Sequence, residues 1–364
     1  MVHRVVQWGT GRVGSDAIVG IAGHPDLELV GVWVHSEEKE GRDAGEICGI
    51  DPLGVHATRD KDALLALPAD CVCYATARTW GRDPSGIVDE ICRILRSGRN
   101  VVNVAWPALV APQGIGGGVY ERLQAACLEG GVSFYTGGVD PGYGSLGLAV
   151  SALGVTSEIR SVRMYEILNY AHWDNREWIR EVMGFGQREV GSLFTPGRLA
   201  GIFGPMLSLL AEKLGTRIEE IVEAHDAIYA DEAFEVAAAH IAPGTISGLR
   251  FEIRGMIGGE PRIVVEHVTK LRDQDFAELG FEGGGYRVEV DGEPCVRLDM
   301  KLSLKNVEEG SLIAGASGRP ALFATAMTVV NAIPQVCEAP PGVLTYLDLK
   351  PHPSRNLGAS GARP

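Results

Sequence analysis

The sequence is short of basic residues: its 33 lysines and arginines face 47 aspartates and glutamates, which leaves a formal net charge of −14. No basic stripe or arm offsets that balance, so we expect neither nucleic acid nor an anionic membrane as a partner. The chain lacks a run of about 18 apolar residues, so we expect no membrane span. The N-terminal MVHRVVQWG lacks a charged segment followed by an apolar one, so we expect no secretory signal.

Cysteine and histidine are too scattered to indicate a metal site or a disulfide framework. The seven cysteines are odd in number and form no CxxC pair, and the nine histidines form no HxH or HExxH motif. Cys71 and Cys73 lie inside the apolar run DCVCYATA, which is typical of a buried strand, and we interpret them as small core residues. We therefore expect no metal ion, and reduced thiols in a cytoplasmic protein.

The first part of the chain alternates short apolar strands with helices up to about residue 148. Strands are predicted at 4–8, 27–35, 70–75 and 100–105. Such alternation with apolar strands is typical of a parallel sheet that is covered by helices on both faces. We therefore assign residues 1–148 to a Rossmann-type, doubly wound α/β domain that binds a dinucleotide.

The pattern then changes, and a second α/β (α+β) domain is predicted over residues 149–318. EIRSVRMYEIL is typical of a strand, and DNREWIREVMGFG and GPMLSLLAEKLG are typical of helices. TRIEEIVEAHDAIY is predicted as a further helix, because Thr216 and Glu219 have the spacing of a capping box. Residues 245–305 have a period of two with GGE and DGE at the expected hairpin turns, which predicts a mixed or antiparallel sheet.

Three glycines follow the first strand in the pattern G-x-G-x-x-G. The pattern is weak alone, but here it follows a strand, opens a helix and lies in a βαβ unit of about 30 residues, the arrangement of a dinucleotide site. The first glycine allows a tight turn, the second lets the pyrophosphate approach the backbone, and the third lets helix and strand pack closely. The helix N-terminus favours the anion. We expect cofactor contacts at Gly9, Thr10, Gly11, Arg12, Val13 and Gly14.

The end of the second strand decides between NAD and NADP. An NAD site has an acidic residue there for the ribose 2′-hydroxyl, whereas this strand ends at His35 and Ser36. Ser36 can donate a hydrogen bond to a 2′-phosphate, and Arg12 can stack on the adenine or pair with that phosphate. Lys39 and Arg42 are either further phosphate contacts or part of a solvated charged loop. We expect NADP as the preferred cofactor and NAD as the alternative.

Several segments spread over nearly the whole chain carry a common pattern: QWGTGRVG, GVWVHSEEKEGRDAGEI, GGVDPGYGSL, GFG at 184–186, GGYRVEV, and ATAMTVVNAIPQV followed by PPGVLTYLDL. Together they resemble the dihydrodipicolinate-reductase-like oxidoreductases, in particular the branch of 2,4-diaminopentanoate dehydrogenase and the native amine dehydrogenases. The resemblance implies a Rossmann domain, a second domain with substrate contacts and a dimer interface, and a last helix, predicted at 319–339 within residues 319–364, that packs back on the first domain. It also implies NAD(P)-dependent reduction of a carbonyl or imine, or oxidation of an amine.

The resemblance to the amine-dehydrogenase branch also implies a glutamate near the end of the fifth strand that activates ammonia. Here that stretch is NVVNVAWPALVAP, with Ala105 and Trp106 at the place and no carboxylate between residues 100 and 112. A carboxylate can act as a general base and tryptophan cannot, so the stretch argues against ammonia-dependent amination. Trp106 either narrows and desolvates a pocket or packs in the core.

Further candidates lie at the carboxyl ends of the predicted parallel strands, where such sheets bind ligands. These cofactor candidates are Ala75, Thr76, Ala77, Asn103, Ala105 and Asp140. Asp140 begins the turn DPG after a strand. The family usually has a polar residue at this place, near the nicotinamide amide, and a plain turn is the alternative.

In the second domain, EILNYAHWDN crowds polar and aromatic side chains at a predicted strand-to-helix junction. Tyr170 or His172 could donate a proton to a nascent alkoxide or amine, although a lone histidine is often structural. Glu166 and Asp174 could hold a cationic substrate nitrogen or cap the next helix, and one of them, or Asp140, could supply the missing carboxylate. The catalytic candidates are Trp106, Asp140, Glu166, Tyr170 and His172.

We expect an NADP-preferring oxidoreductase that transfers hydride between the nicotinamide and a small to medium, apolar carbonyl, imine or amine. Two alternatives stay open: a non-catalytic NADP-binding regulator, and a biosynthetic enzyme of the dihydrodipicolinate-reductase type, although the chain has no HH…K basic cluster for a dicarboxylate. The sheet predicted over 245–305 is too large for the short helices predicted at 205–230 to cover. A homodimer formed through the second domain is therefore expected.

Overall fold

The protein divides into two compact units in the computed structural model, which describes residues 1–76, 84–279, 284–304 and 319–356. The first unit consists of Met1–Gly138 together with the segment that begins at Leu322, and the second unit is Val139–Ala321. The boundary after Gly138 lies earlier than the predicted one at residue 148. The C-terminal segment belongs with the first unit by its contacts.

The elements alternate between strand and helix at first and are mainly strands in the second unit. The strands are β1 (His3–Trp8), β2 (Leu27–Trp33), β3 (Ala57–Thr58), β4 (Cys71–Tyr74), β5 (Asn100–Asn103), β6 (Ser133–Thr136), β7 (Glu158–Asn169), β8 (Glu220–Tyr229), β9 (Phe234–Val236), β10 (Ala239–Ile241), β11 (Ile246–Ile257), β12 (Glu260–Lys270), β13 (Gly285–Glu293), β14 (Val296–Met300) and β15 (Gly342–Leu344). The helices are α1 (Arg12–Gly23), α2 (Ala44–Cys48), α3 (Lys61–Ala66), α4 (Ser85–Arg96), α5 (Val119–Gly130), α6 (Leu148–Leu153), α7 (Arg198–Lys213), α8 (Arg319–Val330) and α9 (Ile333–Glu338).

The first unit is built on a parallel sheet, whose described strands follow the order β15-β6-β5-β4-β1-β2-β3. Successive residues of a strand face opposite sides, so Val5 packs with α1, α8 and α9 while Val6 packs with α4 and α5. Apolar residues on both phases bury the strands on both faces. This arrangement confirms the Rossmann-type, doubly wound α/β domain.

The strand order of this sheet reverses between β1 and β4, and the glycine turn lies at that point. Gly9 has a φ of 98°, and a Cβ there would lie 2.6 Å from the carbonyl oxygen of Ala75, which follows β4. A Cβ at Gly14 would lie 2.2 Å from the carbonyl oxygen of Gly9, whereas one at Gly11 would meet no atom within 4 Å. Gly9 and Gly14 therefore serve backbone packing, and Gly11 leaves space for a ligand.

The C-terminal segment forms two helices, α8 and α9, where one helix is predicted over 319–339. Among the described residues, Arg319–Glu338 is the one helical stretch long and apolar enough to cross a membrane, whereas no such stretch is expected from the sequence. Val329 and Ile333 from this stretch lie in the core of the first unit beside Ile18 of α1. Packing in that core accounts for its apolar character.

The second unit contains a mixed sheet with the strand order β14-β13-β7-β12-β11-β8 in its described part. In it, β7 and β12 run parallel and the other neighbours are antiparallel. One face, which we call the apolar face, is lined by buried side chains such as Met164, Phe251, Val265 and Val288. This confirms the mixed sheet predicted for the second domain.

The opposite face of the same sheet, which we call the charged face, carries ion pairs. Arg163 contacts Glu252 and Glu266, Arg250 contacts the same two carboxylates, and Arg254 contacts Glu252. Glu266 is fully buried under these arginines, which are themselves partly exposed. These ion pairs therefore lie on the strand phase opposite to the buried apolar side chains.

The helix predicted for TRIEEIVEAHDAIY is wrong, because most of this segment forms the edge strand β8. It pairs antiparallel with β11, and Glu219 accepts a hydrogen bond from the N–H of Gly258 instead of capping a helix. Ile221, Val222 and Ile228 are β-branched and favour a strand. Pairing along the whole of β11 outweighs the local capping signal.

The hairpin turn predicted at GGE is confirmed, because Gly258 and Gly259 join β11 to β12 with φ values of 63° and 77°. The hairpin connection predicted at DGE is confirmed in part: β13 stops pairing with β14 at Val290, opposite Val296, so Asp291–Glu293 lie in the connection, but these residues still pair with β7. The chain turns after them, at residues 294–295. Pro294 has no N–H to continue the ladder, which explains the position of this turn.

Gly14→Ala should destabilise the first unit, and Gly11→Ala should not. The new Cβ at position 14 overlaps a backbone oxygen, whereas the one at position 11 enters open space. We expect the free energy of unfolding of Gly14→Ala to fall by about 1–3 kcal/mol, the usual cost of overpacking. Thermal unfolding without nucleotide measures both variants. Equal melting temperatures would contradict this account of the turn.

Candidate active site

Three strands of the second unit place three polar side chains in one row on the apolar face. Glu166 on β7 pairs directly with His267 on β12 and with Tyr286 on β13. Directly paired residues point to the same face of a sheet, so these side chains are neighbours. The strand register therefore fixes the row, which lies among buried residues such as Met164 and Val265.

Asp140 reaches the same row from the segment Val139–Gly147 at the start of the second unit. Its Oδ2 lies 2.7 Å from Nε2 of His267, and Oε1 of Glu166 lies 3.3 Å from Nδ1 of the same ring. The side chains of Asp140, His267 and Glu166 are only 3%, 8% and 14% exposed. The imidazole is therefore held between two buried carboxylates, and we call these three residues the acid–histidine cluster.

The contact between Asp140 and His267 leaves hydrogen-bonding capacity unused. The two atoms meet as an ion pair whose angle does not make a directed hydrogen bond, and neither Asp140 Oδ2 nor His267 Nε2 has another partner in the described part of the chain. Buried polar atoms without a directed partner are rare in proteins and call for an explanation. A polar group of a substrate would supply the missing partner.

The cluster holds a proton on His267. Burial alone would lower the pKa of this imidazole, but the nearby charges of Asp140 and Glu166 outweigh that cost and raise the pKa to about 10. His267 is therefore an imidazolium at neutral pH. The acid–histidine cluster therefore sets two carboxyl groups against one imidazolium.

Tyr286 completes the row on the other side of Glu166. Burial, followed by the charges of Glu166 and Asp140, raises the pKa of Tyr286 well above its usual value. Its phenol therefore stays protonated and donates a hydrogen bond to the carboxylate of Glu166. Tyr170, which is also buried, lies close enough to Tyr286 to interact with it electrostatically.

Two aromatic rings hold the imidazole of His267 in place. The ring of Phe203 on α7 lies edge-on at 4.9 Å between centroids, and the ring of Phe251 on β11 stacks at 4.7 Å. Both phenylalanines are buried. They exclude water from the cluster, which strengthens every electrostatic interaction inside it.

The distances within the cluster are also compatible with a metal ion, because one ligand atom from each residue lies within 4.8 Å of the others. The two carboxylates, however, lie at opposite nitrogens of the imidazole. An ion bound to Nε2 of His267 would leave Glu166 on the far side of the ring. The geometry therefore fits a shared proton better than a metal ion.

The glycine turn of the first unit has the features that a dinucleotide requires. No side chain among the described residues caps α1, so the N–H groups behind Gly11 face open space and suit a pyrophosphate. Lys39 Nζ donates to the carbonyl oxygen of Thr10 at 2.9 Å and approaches its Oγ1 at 3.3 Å. The sequence-predicted Lys39 therefore lies at the turn.

The other sequence-predicted residues of this turn surround it. Val13 is half-buried and packs on the core of the first unit. Arg12, His35 and Arg42 are exposed, and Ser36 is half-buried at the start of the single turn Glu37–Lys39. No acidic side chain occupies the positions directly after β2, where an NAD site has one.

The residues predicted at the other strand ends have mainly structural contacts. Asn103 is fully buried: its Nδ2 donates to Thr136 Oγ1 at 3.0 Å and its Oδ1 accepts from the N–H of Ala105 at 2.9 Å. Ala75 and Ala105 are buried, and Thr76 is half-buried. Ala77 lies outside the described residues. Ala75 contributes through its backbone, which closes over Gly9.

The remaining candidates lie apart from the acid–histidine cluster or at its margin. Trp106 is half-buried and packs on the core of the first unit, in agreement with the core alternative. Tyr170 contacts Trp173 edge-on at 4.6 Å between ring centroids. His172 is half-buried and Asp174 is exposed, and neither has a contact with the cluster among the residues that the structure describes.

Sequence reasoning missed His267 and Tyr286. A signal was present, because His267 falls on the same strand phase as Ile263 and Val265, and Tyr286 on that of Val288. A histidine on an otherwise apolar phase marks a buried polar group. What the sequence could not supply was the register that brings these positions next to Glu166.

Comparison with known proteins matches both units of the chain. Residues 3–80 match the family described as dihydrodipicolinate reductase, N-terminus. Residues 148–359, more than half of the chain, match the family described as 2,4-diaminopentanoate dehydrogenase C-terminal domain. Both family matches agree with the family that the sequence of each half resembles.

Individual relatives cover almost the whole chain. An amine dehydrogenase from Streptomyces virginiae is 34% identical over 97% of this chain and 98% of its own length. A 2,4-diaminopentanoate dehydrogenase from Acetoanaerobium sticklandii is 22% identical over 94% of this chain and 88% of its own. The solved structure of an amine dehydrogenase from Mycobacterium smegmatis shares the fold, with a TM-score of 0.71 and 20% identity over 97% of this chain and 98% of that one.

Proposed function

Because the chain belongs to the family of NAD(P)-dependent oxidoreductases that contains 2,4-diaminopentanoate dehydrogenase and amine dehydrogenase, we propose that it interconverts a primary amine with the corresponding imine or carbonyl. The observation that carries this proposal is the acid–histidine cluster. It is buried, it sets two carboxyl groups against one imidazolium, and Oδ2 of Asp140 has no directed hydrogen bond within the described part of the chain. Such a site suits a single substrate nitrogen that gains and loses a proton.

Asp140 is the proposed proton-transferring group. In the oxidation direction the substrate nitrogen must lose its extra proton before hydride leaves the neighbouring carbon, and the carboxylate of Asp140 can accept that proton. In the reverse direction the same carboxyl returns it to nitrogen. The nicotinamide, when bound, supplies or accepts the hydride. Asp140 thereby takes the place of the carboxylate that is missing beside Trp106.

The proposed substrate is small to medium in size and largely apolar apart from its nitrogen. The surroundings of the cluster support this, because Phe203 and Phe251 flank His267, and neighbouring positions of the same sheet face, such as Met164 and Val265, are buried and apolar. A carboxylate on the substrate would be repelled by the excess negative charge of the cluster.

The seven cysteines are free thiols, which supports the proposed cytoplasmic location.

The two alternatives have less support. The dihydrodipicolinate reductase family is matched over residues 3–80, whereas residues 148–359 match the 2,4-diaminopentanoate dehydrogenase family. A non-catalytic regulator has no need to bury two carboxylates around a histidine, which costs free energy of folding. Turnover of an amine with either nicotinamide separates this alternative from an enzyme.

Asp140→Asn should lower kcat for amine oxidation by about 10²- to 10⁴-fold, the usual contribution of a general base. Glu166→Gln should cost less, because Glu166 faces His267 and Tyr286. Glu212→Gln is the matched control, since Glu212 is an exposed carboxylate on α7 of the same unit. Initial rates of nicotinamide reduction compare the variants. Full activity of Asp140→Asn would rule out this residue as the base.

NADPH should bind at least several-fold more tightly than NADH, because His35 and Ser36 rather than an acid lie directly after β2, and Lys39 already lies at the glycine turn. Ser36→Asp combined with Arg12→Ala should reverse that order, since it adds repulsion and removes attraction. Arg93→Ala, an exposed arginine on α4, is the control. Titrations of nicotinamide fluorescence give both affinities. Equal affinities for the unmodified protein would overturn the preference.

We also propose a homodimer formed through the second unit. Its charged face presents both signs of charge on long strands, so it can complement a second copy of itself about a two-fold axis. Light scattering should give the mass of a dimer at micromolar concentration, and Arg254→Glu should weaken it by placing like charges beside Glu252. A monomer under these conditions would contradict the proposal.

A further inference from the structure

Several independent contacts fix the position of the His267 side chain. The register between β7 and β12 sets it beside Glu166, and Phe203 and Phe251 clamp the plane of its ring. Asp140 meets the other ring nitrogen at 2.7 Å. The ring therefore has little freedom to turn away from either carboxylate.

The groups that face His267 can be named element by element within the described chain. The segment Val139–Gly147 contributes Asp140, β7 contributes Glu166, and β13 contributes Tyr286 through its bond to Glu166. The remaining two packed elements, α7 and β11, contribute uncharged phenylalanine rings. Among these groups the imidazole is therefore the cation, and it lies between the carboxyl groups of Asp140 and Glu166.

We infer that His267 is a positioning residue: as an imidazolium between Asp140 and Glu166, it keeps Asp140 ionised and leaves the cluster with one net negative charge. The inference rests on the proposed function for the identity of the substrate, but not for the charge state of the cluster. Without the imidazolium, two like charges would remain buried side by side, and one carboxylate would take up a proton. The base would then be lost in a pH-dependent way.

The protonation state of His267 can be observed directly by NMR of the full-length protein labelled with ¹⁵N-histidine, with His267→Asn identifying the signal. We expect a doubly protonated ring at pH 8, since its pKa is raised to about 10. A neutral ring at that pH would overturn the inference whether or not the protein oxidises amines. Asp140→Asn should lower the measured pKa of His267, whereas the control Glu212→Gln should leave it unchanged.

The pH dependence of the free energy of unfolding should also reveal the proton bound to His267. A pKa raised in the folded state means that the native protein binds the proton more tightly than the unfolded chain does. The stabilisation is fully present below about pH 6.5 and is lost as the pH rises towards about 10. The unmodified protein should therefore lose more stability across this window than His267→Asn. Parallel losses would contradict a bound proton on His267.

The pH dependence of catalysis distinguishes a positioning role of His267 from a merely structural one. In His267→Asn the acid limb of the pH profile of kcat/KM for a primary amine, such as cyclohexylamine, should move to higher pH. In the double variant Glu166→Gln with His267→Asn, one carboxylate is removed together with the cation, so the net charge returns to one negative and the limb should move back. A loss that is equal at every pH in both variants would mean that His267 only supports the fold.

Discussion

Two carboxylates can be buried on an apolar sheet face only if a positive charge lies between them, and His267 is that charge. The cost of taking two anions out of water is several kcal/mol for each, and an unpaired anion would not remain ionised there. The imidazolium contacts Asp140 on one side and Glu166 on the other. The rest of the candidate site depends on this compensation, since it keeps a base charged in a dry environment.

The fold meets this requirement with simple means. Pairing of β7 with β12 and β13 sets Glu166 between His267 and Tyr286. The segment at the start of the second unit brings Asp140 to the other ring nitrogen of His267, Nε2. The separation of apolar and charged strand phases keeps the ion pairs of the opposite face away from the cluster. The first unit has a separate task, because its glycine turn presents free N–H groups where a dinucleotide binds.

The first unit could be predicted from the sequence almost completely, because strand–helix alternation and the glycine spacing are local signals. Glu166 and Asp140 could be named as candidates for similar reasons, since each lies at a recognisable junction. His267 could not, because its role depends on cross-strand neighbours that are distant in sequence. The segment that forms β8 failed for the same reason: a local capping pattern predicted a helix, and pairing with β11 decided the structure. Trp106 is the opposite case. It was named as a candidate because it stands where a glutamate is expected, and the structure shows it packed on the core of the first unit.

The central claim is that this NAD(P)-dependent oxidoreductase acts on nitrogen. It is tested most directly by initial rates of nicotinamide reduction with primary amines and with the alcohols of the same carbon skeleton, measured on the unmodified protein with NADP⁺ and NAD⁺. A net negative, proton-accepting cluster predicts that amines are oxidised and that the matched alcohols are not. Oxidation of the alcohols at equal or higher rates, or tight nucleotide binding without turnover of any amine, would contradict the account.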